Sequence, residues 1–228
     1  MMKRILIALL VPLLLSGCRK DGFLSYTGRE TGYIQDGVFT TDEGVKLVVE
    51  GNGRNYDIRS ARRVLVGYQI TAIGTNGSYT IDLQELLETV TVVPVPASES
   101  IGLVTDDPVL VDEAWFSGGY LNMTVSYGGK DASLHSFPMT YETDGKQTVL
   151  RLYHDARESV TANTDGLQTC LCYPMAQVAT AYAAAMADRP KANTSAIPVL
   201  LRWRWYENND ASRPAILFEK EGSFLPSL

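Results

Sequence analysis

The chain has 228 residues, 45% of them hydrophobic, and a formal charge of -6. That is enough apolar material for one large or two modest cores, while the acidic balance leaves no basic footprint for nucleic acid or for anionic lipid. No apolar run reaches the ~20 residues that a membrane-spanning helix needs, because the long run near the start is interrupted by Pro12 and stops near Leu15.

Lys3 and Arg4 form a positive head, Ile5 to Leu15 an apolar run, and Leu15-Ser16-Gly17-Cys18 follows directly. This is the layout of a secretory signal peptide ending in a cysteine. It resembles the bacterial lipoprotein signal, in which small residues precede a cysteine that is acylated on sulfur and becomes the new N-terminus. The resemblance implies a signal peptide over residues 1–17 and lipidation at Cys18, so the expected partner at this end is the membrane, reached through a lipid anchor. Two or three acyl chains anchor stably where one binds marginally. Arg19 stands at the second mature position, in place of the Asp that resembles an inner-membrane retention signal, so the expected location is the outer membrane. Whether the protein faces the periplasm or the cell surface stays open. Residues 18–31 are polar and without period, which predicts a tether.

From there the pattern is β. Residues 32–96 predict a small domain: Gly32 to Phe39 as a first strand, a turn at Thr41-Asp42-Glu43-Gly44, and Val45, Leu47 and Val49 alternating in a second. Asn52-Gly53 marks the next turn. Val64, Val66, Tyr68, Ile70 and Ala72 then share one face of a longer strand, and Tyr79, Ile81 and Leu83 face inward opposite Thr80 and Asp82. Leu86, Leu87 and Val90 fit either a helical turn or a last strand. Five short strands in about 65 residues suit an OB-like barrel, although a flat meander gives the same pattern. Val93-Pro94-Val95-Pro96-Ala97-Ser98 reads as a linker stiffened by two prolines.

Residues 97–228 predict an immunoglobulin-like β-sandwich carrying one short helix. Its centre is the stretch Asp106 to Tyr127, two strands joined at Ser117-Gly118-Gly119, with Trp115 and Phe116 closing the first. In the second, Leu121, Met123, Val125 and Tyr127 alternate with Asn122, Thr124 and Ser126, which predicts one dry face and one wet face. A strand is expected over Leu134 to Tyr141, interrupted at Pro138, then a turn at Asp144-Gly145 and a strand from Thr148 to His154. Leu167 to Tyr173 is another strand. Pro174 suits the first position of a helix of about three turns that carries Met175, Val178, Tyr182 and Met186. Ile197 to Tyr206 alternates strongly, Asn208-Asn209-Asp210 turns, and Ala215 to Glu219 pairs back.

Several of these residues together resemble the NigD-like family of Bacteroidetes lipoproteins. They are Gly32-Tyr33-Ile34, Thr41-Asp42-Glu43-Gly44-Val45, and Arg63-Val64-Leu65-Val66 with Tyr68. Beyond them stand Ser100-Ile101-Gly102 with Asp107-Pro108-Val109, Trp115-Phe116-Ser117-Gly118-Gly119-Tyr120-Leu121-Asn122, and His135. The resemblance runs to about residue 155 and is looser after it. It implies an OB-type N-terminal domain followed by a β-sandwich, and it brings no catalytic residue or ligand with it. Leu103 to Thr105 lengthen one link relative to the family, and Pro174 to Ala196 another.

Groups for catalysis are few. The two histidines, His135 and His154, have no metal-type spacing to Cys, Asp or Glu, and no G-x-S-x-G, P-loop or H-E-x-x-H pattern occurs. Both are expected to be structural, and no cofactor or metal is expected. Cys170 and Cys172, two apart in a strand, sit at or beyond the limit for an unstrained disulfide, which favours free thiols. Asp106, Asp107, Asp112 and Glu113 match no calcium loop and read as a solvated turn. The functional lead is aromatic: Trp115, Phe116, Tyr120 and Tyr206 are the candidate contacts for a ligand or partner, against the plainer reading that sandwich aromatics are core. The chain is therefore expected to be a non-enzymatic, lipid-anchored binding or accessory component of an outer-membrane assembly, with an envelope protein or a glycan as partner. Two alternatives stand beside it: a glycan-binding module of a nutrient-capture system, which requires a solvent-facing aromatic row, and a hydrolase with an unfamiliar site.

Overall fold

The computed structural model describes residues 27–75, 77–99, 102, 105–157, 166–187 and 196–226. The expected signal peptide, Cys18 and most of the expected tether lie outside the described residues, as do Leu103 and Val104 of the first lengthened link and residues 188–195 of the second.

The N-terminal strands are β1 (Thr27–Gln35), β2 (Val38–Thr41), β3 (Lys46–Gly51), β4 (Arg62–Ile73) and β5 (Tyr79–Thr91). β1 pairs antiparallel with β2 and β4, β2 with β3, and β4 with β5, while β3 closes on β5 in parallel. The cycle 1-2-3-5-4 is a closed barrel of the OB type. Its interior is filled by Ile34, Phe39, Val64, Val66, Ile81 and Leu83, all at most 2% exposed. A register shift between Ile70 and Ala72 reverses the phase of β4, so Ala72 is exposed and does not share the inner face. Leu86, Leu87 and Val90 continue β5 as strand.

The sandwich follows with β6 (Val95–Pro96), β7 (Leu110–Ser117), β8 (Tyr120–Tyr127), β9 (His135–Ser136), β10 (Met139–Thr143), β11 (Thr148–Leu152), β12 (Asp155–Ala156) and β13 (Leu167–Pro174). Helix α1 (Ala176–Met186), β14 (Ile197–Tyr206) and β15 (Ala215–Phe224) complete it. One sheet has the order β15-β14-β11-β10-β6. The facing strands β13, β8 and β7 join the barrel through β5, whose Thr89 to Thr91 lie parallel to Cys170 to Cys172, so barrel and sandwich share an eight-stranded sheet. Leu121, Met123 and Leu171 from this sheet meet Leu150, Leu152 and Val199 from the other, and Met175 and Val178 bring α1 onto the same core. Lost water contact over these side chains stabilises the sandwich by roughly 1.5–3 kcal/mol each.

Five further expectations are corrected. β1 begins at Thr27 and pairs Thr27 with Gln69, so part of the expected tether is strand. The linker is pinned, because β6 pairs with Thr140 and Tyr141 of β10. Pro174 ends β13 and Met175 caps the helix, since Pro174 still faces Tyr120 in the β8–β13 ladder. The strand expected to reach His154 stops at Leu152, and His154 lies beyond it. The expected wet face of β8 is dry of water: Asn122 is 0% and Thr124 1% exposed, because the sheet turns this face toward β4 of the barrel.

Candidate functional site

Gly118 and Gly119 turn the chain from β7 to β8 with φ of 55° and 81°. Two consecutive left-handed residues make the tight hairpin corner that glycine favours. A Cβ on Gly118 would lie 2.7 Å from the Asp42 carboxyl carbon. The corner is therefore pressed directly on the barrel turn that follows β2.

That contact is the edge of a buried polar hub. Arg63, at the head of β4, donates to both Asp42 oxygens, Nη1 to Oδ1 at 2.6 Å and Nη2 to Oδ2 at 2.7 Å. The Thr31 and Ser117 hydroxyls each donate to Asp42 Oδ2 at 2.6 Å. Asn122 Nδ2 donates to Ser117 Oγ at 2.9 Å, and Asn122 Oδ1 accepts from Arg63 Nη2 at 3.1 Å and from the Cys172 thiol at 3.1 Å. The Tyr120 ring lies against the guanidinium, 4.1 Å from its carbon. Burial pushes the Asp42 pKa up, but the hydrogen bonds from Arg63, Ser117 and Thr31 outweigh it and hold the carboxyl below its ordinary value. Arg63 is raised by the same logic, burial opposing and the bonds to Asp42 and Cys172 prevailing. The hub thus sets a fixed ion pair of the barrel against Asn122 and Ser117 of the sandwich.

Three clefts surround the corner. One, of about 300 Å³, is lined by Arg29, Glu30, Glu43 and Glu113 together with Trp115 and Phe116. Arg29 spans it, bonded to barrel Glu85 at 2.9 Å and to sandwich Glu113 at 2.6 Å. A second, of about 430 Å³, runs from Gly118 and Tyr120 to Met175, to Ala179 of α1 and to Phe224. A third, of about 340 Å³, shares Gly119, Tyr120 and Phe224 with it and Phe116 with the first.

Of the four candidate aromatics, Trp115, Phe116 and Tyr120 gather at this corner, and Tyr206 does not. Phe116 stacks on Phe224 with centroids 5.2 Å apart. Trp115 and Tyr120 pack beside buried Leu65, Cys170 and Cys172. Tyr206 lies at the far end of β14, edge-on to Trp205 at 5.1 Å. All four are half-buried, and among the described residues Tyr33 is the sole exposed aromatic, at 53%. The described aromatics therefore form no solvent-facing row.

The two histidines meet each other. His135 Nδ1 is 2.9 Å from His154 Nε2, and His154 Nδ1 is 3.2 Å from the Pro108 carbonyl. His154 is 0% exposed and stacks on Phe137 at 4.9 Å. Burial, opposed by the Pro108 carbonyl, lowers its pKa. Cys170 and Cys172 are free and 0% exposed. The acidic residues disperse: Asp106 pairs with Arg151, Asp107 accepts from the Ala156 amide, Asp112 from Ser126 and Glu113 from Arg29. No group of three or more metal-type side chains forms among the described residues.

Asp42, Arg63, Ser117 and Asn122 are quoted in the sequence only for the family resemblance and are assigned to no site: Asp42 reads there as turn, Ser117 as the hairpin corner and Asn122 as the wet side of its own strand. A usable signal was Asn122 in a strand of otherwise neutral polar residues, where burial demands a partner.

No family model matches the chain, and no curated protein matches it. Solved structures do share its fold. A NigD-like immunity protein from Bacteroides caccae superposes with a TM-score of 0.60 at 23% identity, over 90% of this chain and 98% of that one. A candidate lipoprotein from Bacteroides fragilis gives 0.55 at 13% identity, over 85% and 97%. A protein of unknown function from Bacteroides vulgatus gives 0.54 at 15%, over 89% and 92%. The likeness to NigD-like proteins read from the sequence is thus a likeness of fold along nearly the whole chain.

Proposed function

We propose that this chain is a lipid-anchored protein of the bacterial cell envelope, held at the outer membrane through Cys18, that works by binding without catalysis. Its contact surface is the Ser117–Tyr120 corner. The observation that carries the reading is the convergence of three clefts on that corner, with Trp115, Phe116 and Tyr120 among their linings. Pockets of a few hundred Å³ lined by aromatics and a few polar groups are suited to capturing side chains of a partner. The groups best suited to proton transfer or attack are engaged elsewhere: His154 is sealed against His135 and Pro108, and Cys172 against Asn122 and Arg63. The B. fragilis neighbour described as a candidate lipoprotein agrees with anchoring.

Two measurements test it. In the first, Cys18→Ala is expected to move the protein out of the membrane fraction or leave it unprocessed; unchanged membrane partition removes the anchor. In the second, a photoreactive residue is placed at Glu113 beside the corner, or as control at Ile73, exposed at the end of β4 remote from Arg63. Discrete adducts in cells are expected from position 113 and not from position 73. Equal labelling at both positions, or none at 113, removes the contact surface.

A further inference from the structure

β15 is the last strand of its sheet, and its ten residues pair with β14 without a register shift. Among the described residues no strand pairs with its other edge. Natural sheets protect such edges with bulges, prolines or charges. β7, which ends the other sheet on the same flank, has both a bulge between Val111 and Glu113 and two exposed acids. The first half of β15 has none of these: Ala215-Ile216-Leu217-Phe218 carries no charge, proline or glycine, and Ile216 and Leu217 are 43% and 46% exposed. Phe218 is held in place by stacking on Trp203 at 5.8 Å, so the edge is rigid as well as apolar.

We propose that β15 is the contact edge of a symmetric dimer, two copies of this chain joining antiparallel, edge to edge, about Leu217. A two-fold pairing places residues equidistant from its centre opposite each other on the same sheet face. Centred on Leu217, Leu217 meets its symmetry mate, Ile216 meets Phe218 and Ala215 meets Glu219. Over the three central pairs apolar side chains face apolar side chains, Glu219 meets only the small Ala215 at each end, and no like charges are opposed. The registers toward the C-terminus fail this test. Centring on Phe218 sets Leu217 against Glu219 and Ile216 against Lys220. Centring on Glu219 or Glu221 opposes two glutamates, and centring on Lys220 opposes two lysines. Centring on Ile216 shortens the overlap and brings Pro214 opposite Phe218. Like charges directly opposite destabilise a strand pair, and matched apolar pairs stabilise it. The self-complementary register is therefore the one that selects a second copy of the chain as occupant.

A junction of about five residue pairs is well below a standard interface in area, so the dimer forms at high concentration in solution. The test uses the mature chain from residue 18 carrying Cys18→Ala, which retains every element described. Sedimentation equilibrium up to about 1 mM is expected to show dimer in the parent, loss of dimer in Leu217→Lys, and parent-like dimer in Val48→Lys. Val48 is the control because it is 40% exposed on the barrel. Independently of the lysine variant's folding, Leu217→Cys under mild oxidation is expected to form an interchain disulfide and Val48→Cys far less. Cys170 and Cys172 do not compete, being fully buried. A parent that is monomeric at the highest concentration, a Leu217→Lys variant that dimerises like the parent, or equal crosslinking at positions 217 and 48 overturns the proposal.

Discussion

Arg63 and Asp42 form a two-pronged ion pair with both side chains 6% exposed, and both partners also bond across to the sandwich, Arg63 to Asn122 and Asp42 to Ser117. Removing one member of a buried pair leaves the other charge uncompensated, which costs about 3–5 kcal/mol, whereas replacing both with apolar groups of similar volume is often far milder. Asp42→Ala is therefore expected to lower stability by about that amount in urea denaturation. The double variant Asp42→Leu with Arg63→Met is expected to lose less than Asp42→Ala alone. A double variant that loses more means that the remaining hydrogen bonds, and not the stranded charge, set the cost.

The corner that carries Ser117 into this hub depends on a missing Cβ. Gly118→Ala adds a methyl 2.7 Å from the Asp42 carboxyl carbon at a φ of 55°, so strain and displacement of a buried acceptor act together. The expected loss is roughly 1–3 kcal/mol. Gly77 also has a positive φ, of 77°, but nothing near its Cβ position, so Gly77→Ala is expected to lose less than Gly118→Ala. Equal losses in the two variants would place the whole effect in backbone strain.

What sequence could and could not reveal follows from the range of each interaction. Inward alternation in β4, β5 and β8 was legible because burial of one strand face follows a local period of two. The helix was legible from Met175, Val178 and Tyr182 at helical spacing, although its first residue was misplaced at Pro174. The shared sheet was not legible, because the β5–β13 pairing joins residues about 80 positions apart that no single turn connects. The hub was hidden for the same reason. Asp42 and Ser117 are 75 residues apart and Arg63 and Cys172 are 109 apart, and each alone looks like an ordinary surface or turn residue. The aromatic candidates were half legible: three converge at the corner, while the choice between core and exposed rings, left open by the period, falls between the two.

Acid sensitivity is expected from His154. Burial holds its folded pKa below the ordinary 6.5, against the pull of the Pro108 carbonyl. The unfolded chain therefore binds a proton that the folded chain refuses, so stability from this group is complete above about pH 6.5 and is lost as pH falls from there toward the folded value. Asp42 has the same sign in a lower window: its lowered carboxyl pKa stabilises above the ordinary value of 3.8 and the benefit is lost as pH falls through the folded one. Melting temperature is expected to fall between pH ~7 and ~5 in the parent, and the fall is expected to flatten in His154→Gln. An unchanged slope in that variant would assign the sensitivity to other groups.

The cysteines offer a reading of how tightly the junction closes. Cys172 is pulled toward the thiolate by the hydrogen bond from Cys170 and by Arg63, with burial opposing, while Cys170 is pushed the other way. A lowered pKa ordinarily makes a thiol reactive. Here the sulfur is 0% exposed and its thiol is bonded to Asn122, so reagent reaches it only when β13 and β4 part. Native protein is expected to resist a thiol reagent that labels both residues once urea is added. Asp42→Ala is expected to speed native-state labelling, because the opening that exposes Cys172 is the opening that the Arg63–Asp42 pair resists. Rapid labelling of the native parent would mean that the junction opens without unfolding, and that barrel and sandwich move against each other as a normal part of the protein's behaviour.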